Sequence, residues 1–538
     1  MQNKGQEIEV GQGTIDFDIS DVVGRHLHVK VKLVAESGAP PIVFDLEDGM
    51  GIMTVAAGRY TSYVYTYENG IPYLIDFRNL RVVNNQTVYL PVSLLEGSAG
   101  ARPLSDFDAD YDLAIDTVEL KAGTDPKDAA SIPGLVAYTW PSPVLKDEAG
   151  WYSGELQVHS NYGRGSQSVS ELVRNAERMG LDFLAITDRN TLDAPLDPDF
   201  KSRSVVLIPA MEWGDESRGV ALVYAPRTFP NETDSVPEAQ AISIRVQAQG
   251  GIFAIAYPCF PTSPWQWGLR YVNAIQGWCR DWRGVPPMSL QQITDESILV
   301  RKDGKLIHSL ANAAATPGRS ANGQSTLFWD LELKRGLKAG IIAGSNSSSP
   351  VVAMASPVTY VYAREKSLRG ILDGIRRGRT VVAKDLNAPR LYFTADILNN
   401  GKIESMIGGI VPLRQPTRFI VEVEGAKGTR LEVLMNGLPI RSMRIESDHL
   451  TYSFVMTPDT YSVLRVRILG EPTGPGFDIL EMLTMTSAIY AQEVVVLDED
   501  GNELTWVEIE NDYADPQALR EQFPPDPSRF EIKTRTPQ

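Results

Sequence analysis

The spacing of apolar and polar positions changes character several times along the chain, and those changes divide it. From about residue 8 to 95 the period is two. Residues 14–19, 26–33 and 60–67 alternate, and 88–92 closes the region as a short strand. Residues 154–190 then read as strand, loop, helix, strand. Leu156 and Val158 lie in a short apolar run that stops at His159. Ser168 is a helix N-cap with Glu171 three residues on, the capping-box spacing. Leu172, Val173, Ala176 and Met179 recur at helical spacing, and Gly180 is placed to close the helix. Residues 183–186 are a buried-type strand running into Thr187, Asp188, Arg189 and Asn190.

Apolar strands and helices continue to alternate to about residue 388, as in a βα architecture. Runs at 205–209 and 220–224 flank Glu212, and a helix over 238–249 ends at Gly250-Gly251. Strands at 252–256, 272–277 and 338–343 lead into Tyr257-Pro258, Trp278-Cys279 and Gly344-Ser345-Asn346. A helix over 368–377 stops at Gly378. From 389 the period returns to two, with strands at 391–394, 418–423, 429–435, 452–455 and 463–469 and a hairpin signal at Asn436-Gly437. A last hairpin turns at 500–502, and a Pro-rich tail follows. The expected division is a β-sandwich-like domain over 1–100, an acidic segment over 101–150, an α/β domain over 151–388, a second β-sandwich-like domain over 389–495 and a tail over 496–538.

Composition narrows this picture without redrawing it. At 538 residues the chain is too long for one core. A net charge of −17 argues against nucleic acid and anionic membrane surfaces as partners. No apolar run is long enough for a membrane-spanning helix. The opening MQNKGQEIEV has no signal-peptide core, so either the protein is cytosolic or the numbering begins near a processed end. From Ile468 to Leu519 there are twelve Asp or Glu and no Lys or Arg, a one-sign face that serves either solubility or docking on a basic partner. Cys259 and Cys279 each follow a strand end and are either bridged or two buried thiols. Trp265, Trp267, Trp278 and Trp282 crowd one stretch beside arginines, as aromatics covering the end of the α/β domain or as a protein or sugar interface. Tyr63, Tyr65 and Tyr67 fall on one face of their strand, in a module read as a spacer or, alternatively, a ligand face.

The segment DADYDLAIDTVE carries candidate metal chemistry. Asp108, Asp110, Asp112, Asp116 and Glu119 occupy positions 1, 3, 5, 9 and 12 of a twelve-residue loop, and Ala114 would supply a backbone carbonyl at position 7. Calcium takes six to eight hard oxygen ligands, and such a loop wraps one ion. With Asp106 just upstream and no cation between Asp106 and Glu119, the carboxylates repel unless an ion is bound. The continuation LKAGTDPKDAASIPG resembles the calcium-binding loops of thrombospondin type 3 repeats, although Leu113 stands where a turn glycine is usual. A structural calcium is the expectation, with a solvated acidic linker as the alternative. Because calcium is plentiful outside the cytosol, the loop favours an exported protein: periplasmic, cell-surface or extracellular.

The central domain resembles the PHP (polymerase and histidinol phosphatase) domain, in the branch of CehA/McbA-type metallohydrolases, over roughly residues 150–385. The resemblance implies a distorted (β/α)7 barrel, flanked here by all-β domains, with two or three divalent metals at its strand ends. Those metals activate water for attack on phosphate or carbamate esters. The family pattern is His-x-His on the first strand, an Asp in the next loop, Asp-His on the second strand, a Glu, further histidines and a final Asp-x-His. Of these, His159, Asp188 and Glu212 remain. Gln157 replaces the first His, Arg164 the loop Asp, Arg189 the His after Asp188, Gly219 a later His, Tyr257 the His before Pro258, Asn346 the final Asp and Ser348 the final His.

Neutral amides and hydroxyls are weak metal ligands, and a guanidinium brings permanent positive charge into the pocket. The expectation is that Arg164 and Arg189 pair with Asp188 and Glu212 and hold together the strand ends that metals hold in relatives. No catalytic transition metal is expected. The favoured function is a non-catalytic, exported structural or interaction protein that meets a protein partner or a second copy of itself through the acidic C-terminal region or the tryptophan-rich loops. The alternative is a metal-dependent hydrolase using a single metal at His159, Asp188 and Glu212; an anion clamp at Arg189 is a third possibility.

Overall fold

The computed structural model describes residues 12–20, 29–35, 42–46, 50–68, 71–82, 87–93, 110, 116–215, 217–234, 236–260, 263–269, 272–280, 299–302, 305–308, 321–334, 336–472, 480–492, 496–497 and 503–504. The N-terminal region forms seven strands: Gln12–Ser20 (β1), Val29–Ala35 (β2), Ile42–Leu46 (β3), Met50–Ala56 (β4), Gly58–Glu68 (β5), Ile71–Val82 (β6) and Thr87–Ser93 (β7). They make two sheets, in the orders β4-β1-β7 and β3-β2-β5-β6. The period-two alternation explains the pairing: Ile15, Phe17 and Ile19 point to one face, Val29, Val31 and Leu33 to another, and all are buried in one shared core. The side chains of Tyr63, Tyr65 and Tyr67 lie outside the described residues. A two-turn helix, Asp116–Ala122 (α1), follows.

The middle of the chain contributes Gly150–Val158 (β8), Val169–Met179 (α2), Phe183–Ile186 (β9), Asp193–Leu196 (α3), Val206–Asp215 (β10) and Gly219–Tyr224 (β11). It continues with Val236–Ala248 (α4), Ile252–Ile255 (β12), Ala274–Cys279 (β13), the hairpin Leu299–Lys302 (β14) and Lys305–His308 (β15), and Ala321–Lys334 (α5). Then come Gly340–Gly344 (β16), Val358–Ala363 (β17), Leu368–Arg376 (α6) and Thr380–Ala383 (β18). Strands pair in the order β16-β13-β12-β11-β10-β9-β8, a mixed sheet in which β10 and β11 form an antiparallel hairpin. The two ends of this run meet: Val158 bridges Ser347 in parallel, and the His159 N–H donates to the Ser347 carbonyl at 2.8 Å.

The element that sequence spacing marked most clearly, α2, forms as its caps dictate. Ser168 accepts from the Glu171 N–H, Glu171 returns a bond to the Ser168 N–H at 2.8 Å, and Gly180 closes the helix at φ 71°. Its Val169, Leu172, Val173 and Ala176 face the core. Each large apolar side chain buried there contributes about 1.5–3 kcal/mol. Ser168→Ala removes the cap acceptor and is expected to destabilise the domain by about 1 kcal/mol, measured by urea denaturation.

Helix α5 has no counterpart in the apolar spacing, because it is buried all round. Asn322, Gln324, Asp330 and Glu332 are as covered as Leu327, Phe328 and Trp329. The tryptophans take the reading of aromatics filling the domain: Trp265, Trp267 and Trp278 are at most 1 % exposed and belong to one core with Trp213 and Trp329, so they offer no interface. Apolar burial and indole hydrogen bonds hold them there, such as Trp267 Nε1–H to the Gly219 carbonyl at 3.0 Å. Trp282 lies outside the described residues. Cys259 and Cys279 are free, buried thiols.

The C-terminal region begins with Arg390–Asp396 (β19), Ser405–Met406 (β20), Ile410–Pro412 (β21), Thr417–Glu424 (β22), Arg430–Met435 (β23), Leu438–Arg444 (β24) and His449–Met456 (β25). Ser462–Pro472 (β26), Leu480–Thr486 (β27), Ile489–Gln492 (β28), Val496–Leu497 (β29) and Glu503–Leu504 (β30) complete it. One sheet has the order β20-β19-β22-β25. The other continues the central sheet, running from β8 through β17 and β18 into β27-β26-β23-β24. Two buried ion pairs lie along that junction. Arg465 on β26 grips Asp330 of α5 at 2.7 and 2.6 Å, and Arg467 reaches Glu432 on β23 at 2.9 and 2.7 Å. The tail hairpin pairs Val496 with Leu504; its turn lies outside the described residues.

Candidate functional site at the strand ends

Nine of the ten metal-site positions singled out in sequence, all but Gly219, gather where β8, β9, β10, β12 and β16 end. Strand β8 delivers Gln157 and His159, β9 runs into Asp188 and Arg189, and Glu212 stands inside β10. The ladder breaks register between Glu155 and Val158, and again between Gln276 and Trp278 on β13. Such irregularities re-aim side chains at sheet ends. Here they accompany two glutamines that turn inward beneath the site.

Glu212 is the hub. It is fully buried, and its carboxylate accepts from Gln157 Nε2–H at 3.0 Å, Arg164 Nη2–H at 2.7 Å and Tyr257 Oη–H at 3.1 Å. Arg189 Nε lies 3.4 Å from the same carboxylate, and the Arg189 and Glu212 backbones are bridged. The amide orientations are fixed by a directional chain. The Tyr257 N–H donates to Gln276 Oε1 at 3.2 Å, and Gln276 Nε2–H donates to Gln157 Oε1 at 2.8 Å. Gln157 therefore has only its Nε2–H left to offer Glu212. Burial, and then the Glu212 charge, raise the Tyr257 phenol well above its usual pKa, so it stays a donor.

Asp188 is held differently from the sequence expectation. Its carboxylate accepts the Ser160 N–H at 2.7 Å and the Ser160 hydroxyl, and both arginines go to Glu212. The cause is local: the 160–166 loop folds back so closely that a Cβ on Gly163 would lie 2.5 Å from Asp188 Oδ1, and one on Gly165 would lie 2.0 Å from the His159 carbonyl. That loop brings Ser160 onto Asp188 and sends Arg164 across to Glu212. Burial raises the Asp188 pKa, opposed by the Ser160 bonds. His159, 2 % exposed, donates Nε2–H to Asn346 Oδ1 at 2.8 Å, while Nδ1 has no hydrogen-bond partner and sits 4.0 Å from Asp188.

Gly219 does not join this group. It has φ 91°, and a Cβ there would lie 2.7 Å from the Trp265 Cα, so the position seats a tryptophan-bearing segment and admits no ligand side chain. Three participants had no signal strong enough to single them out. Glu155 is buried on β8 and accepts the Gln157, Ser345 and Ala355 N–H groups at 2.9, 3.0 and 2.8 Å. Its pKa is raised by burial. Gln276 relays the amide chain, and Arg280 follows β13. A Glu inside the apolar run GELQV was the one legible hint.

The strand ends surround a pocket of about 180 Å³, whose wall includes Arg164, Arg189, Arg280, Ser263, Tyr257 and Asn346. Cys279 also lines it, with its thiol pKa pushed up to about 12 by burial, so it is no nucleophile at neutral pH. A catalytic divalent metal does not fit this donor set. Such an ion needs several free anionic or imidazole donors. Glu212 accepts three side-chain hydrogen bonds and pairs with Arg189, Asp188 accepts two bonds from Ser160, and His159 Nε2 is engaged by Asn346.

Of the acidic loop, Asp108, Asp112 and Ala114 lie outside the described residues. Glu119 on α1 is fully buried, and among the described residues neither carboxylate oxygen lies within hydrogen-bonding geometry of a donor, the Thr124 side chain being the favourable group nearby. Burial, with Asp110 and Asp116 nearby, pushes its pKa up to about 7.

No protein family's sequence profile matches the chain, and no curated protein is similar to it. Among solved structures, a two-domain protein from Bacteroides vulgatus containing a predicted PHP-like metal-dependent phosphoesterase aligns with TM-score 0.32 and 12 % identity, over 65 % of this chain and 98 % of that one. The CARDB domain of a Pyrococcus furiosus protein aligns at TM-score 0.13 and 14 % identity, over 19 % and 95 %. A calcium-binding mutant of Bacteroides uniformis beta-glucuronidase 2 gives 0.17 and 9 %, over 91 % and 60 %. At these identities and scores none of the three assigns this chain a family or a function.

Proposed function

We propose that this chain is a non-catalytic PHP-like protein, a distorted (β/α)7 barrel whose strand ends are cross-linked by side chains where catalytic relatives use metals. It serves as an exported structural or interaction component. The observation that carries the reading is the state of Glu212, which is buried and engaged by Gln157, Arg164, Tyr257 and Arg189. An arginine inside a metal pocket repels the ion, and a carboxylate that already accepts three hydrogen bonds and faces a second guanidinium is a poor ligand for one. The seven strands β8 to β13 and β16, with the β8–β16 contact, support the barrel. A basic partner would be met through the acidic stretch beyond Ile468, most of which lies outside the described residues.

A second reading, a single-metal hydrolase, draws on one observation: His159 Nδ1 is open and faces Asp188. Assay with p-nitrophenyl phosphate across manganese, zinc and iron separates the two. The non-catalytic reading expects no turnover above the metal blank. Turnover that His159→Ala abolishes would overturn it.

The calcium expected of the acidic loop, at Asp108, Asp110, Asp112, the Ala114 carbonyl, Asp116 and Glu119, is part of this proposal, although among the described residues no three acidic or imidazole groups gather as an ion would need. A buried carboxylate with two acidic neighbours and only the Thr124 side chain to oppose them favours a proton or a cation. Calcium at about 100-fold above its Kd should raise stability by about 2.7 kcal/mol, seen as a higher melting midpoint than in chelator. Glu119→Gln should remove that gain; an equal midpoint with and without calcium in the native protein would exclude the site.

A further inference from the structure

The pocket at the strand ends has more cation than its own carboxylates use. Arg164, Arg189 and Arg280 all line it. Glu212 engages the first two at 2.7 and 3.4 Å. Arg280 is exposed and, among the described residues, forms no ion pair; its guanidinium makes a single hydrogen bond, Nη2–H to the Asn346 carbonyl at 3.3 Å. Three guanidinium groups converging on one opening favour an anion, and their planar forks match oxyanion geometry.

Two further observations point into the same space. Ser263 is 5 % exposed, lines the pocket, and has a hydroxyl with no hydrogen-bond partner. A buried hydroxyl left unsatisfied is destabilising, and a ligand oxygen would relieve that cost. The backbone is also held in the left-handed region at three wall residues that are not glycine: Tyr257 at φ 26°, Arg280 at 56° and Asn346 at 50°. Conformations of this kind cluster at ligand-binding sites, where the surrounding structure holds side chains in place for a ligand.

We propose that this pocket is a metal-free receptor for a small, doubly charged oxyanion, gripped by Arg280 and Ser263 in the field of Arg164 and Arg189. The inference rests on the reading that no catalytic metal occupies the strand ends. The aromatic pair Tyr257 and Phe260, with ring centroids 5.5 Å apart, adds an apolar wall for a compact organic body attached to the anionic group. Arg280 is the specificity-determining residue, because it is the lining cation that Glu212 does not engage.

Isothermal titration calorimetry on chelator-treated full-length protein tests this, with inorganic phosphate, sulfate, malonate and phenyl phosphate as separate probes and chloride as the control. Binding of at least one dianion at millimolar Kd or tighter is expected. Arg280→Gln should weaken it about 10-fold or more, and Ser263→Ala by a smaller factor. In anion-free buffer Arg280→Gln should keep the wild-type melting midpoint, and Ser263→Ala should match or exceed it because the unsatisfied hydroxyl is gone. Tighter binding of phenyl phosphate than of phosphate identifies a phosphate ester as the ligand class, and preference for malonate a dicarboxylate. No heat with any probe at about 10 mM, or binding that Arg280→Gln leaves unchanged, overturns the proposal. Elemental analysis of the protein before chelator treatment keeps the outcomes apart: metal-free protein that binds no anion refutes the receptor alone, whereas a stoichiometric transition metal refutes the non-catalytic reading beneath it.

Discussion

Glu212→Ala is expected to destabilise the central domain by about 3–5 kcal/mol, among the largest losses any single substitution in this chain should produce. The reason is the number of groups stranded together. Removing the carboxylate leaves the Gln157 amide and the Tyr257 hydroxyl buried without an acceptor and deprives Arg164 and Arg189 of their shared counter-charge. Arg164 is half exposed and recovers by turning to water, so most of the cost falls on the amide and the phenol. Glu212→Gln preserves volume and still fails, because the incoming amide must present its N–H₂ either to a guanidinium or to the Gln157 and Tyr257 donors. Gln157 cannot flip to compensate without depriving Gln276 Nε2 of its acceptor. Urea denaturation followed by tryptophan fluorescence reads this domain selectively, since Trp213, Trp265, Trp267, Trp278 and Trp329 share its core. A loss below about 1 kcal/mol for Glu212→Ala would mean the network is incidental.

Asp330→Ala is expected to cost a similar 3–5 kcal/mol, at a different joint. Arg465 is 1 % exposed, bonded twice to Asp330, with its guanidinium carbon 5.3 Å from the centre of the Trp329 ring. Without Asp330 a buried guanidinium has no counter-charge and no route to water. Because Asp330 rides on α5 and Arg465 on β26, the loss should also uncouple the C-terminal strands from the central sheet and broaden a single transition into two. The double change Asp330→Leu with Arg465→Met should lie closer to wild type than either single change, since apolar packing can replace a buried pair at little or no cost. Additive losses in that cycle would contradict the assignment.

How much of this was legible in the sequence differs from element to element. Helix α2 and strand β9 were readable because their signals are local: a Ser-x-x-Glu cap, a Gly stop and four apolar residues in a row. Helix α5 was not, because a helix covered on every side has no polar face to set its period. His159, Asp188 and Glu212 do converge, and the arginines do enter the site. Their distribution was beyond sequence, since which carboxylate Arg164 meets depends on how tightly Gly163 and Gly165 let one loop fold. Gly219 looked like a lost ligand and is a packing requirement, a distinction that needs the Trp265 backbone beside it. For the tryptophan cluster the sequence left two readings, aromatics covering the domain end or an interface; the burial of Trp265, Trp267 and Trp278 takes the first, and Arg218, from elsewhere in the chain, lies over Trp267 at 5.0 Å.

The central claim is that protein donors have taken over the role of metals at these strand ends. Elemental analysis of protein purified without chelator and offered manganese, zinc and iron tests it most directly. The account predicts transition metal far below one ion per chain, unchanged in His159→Ala. One ion per chain, lost on substituting His159, would contradict it.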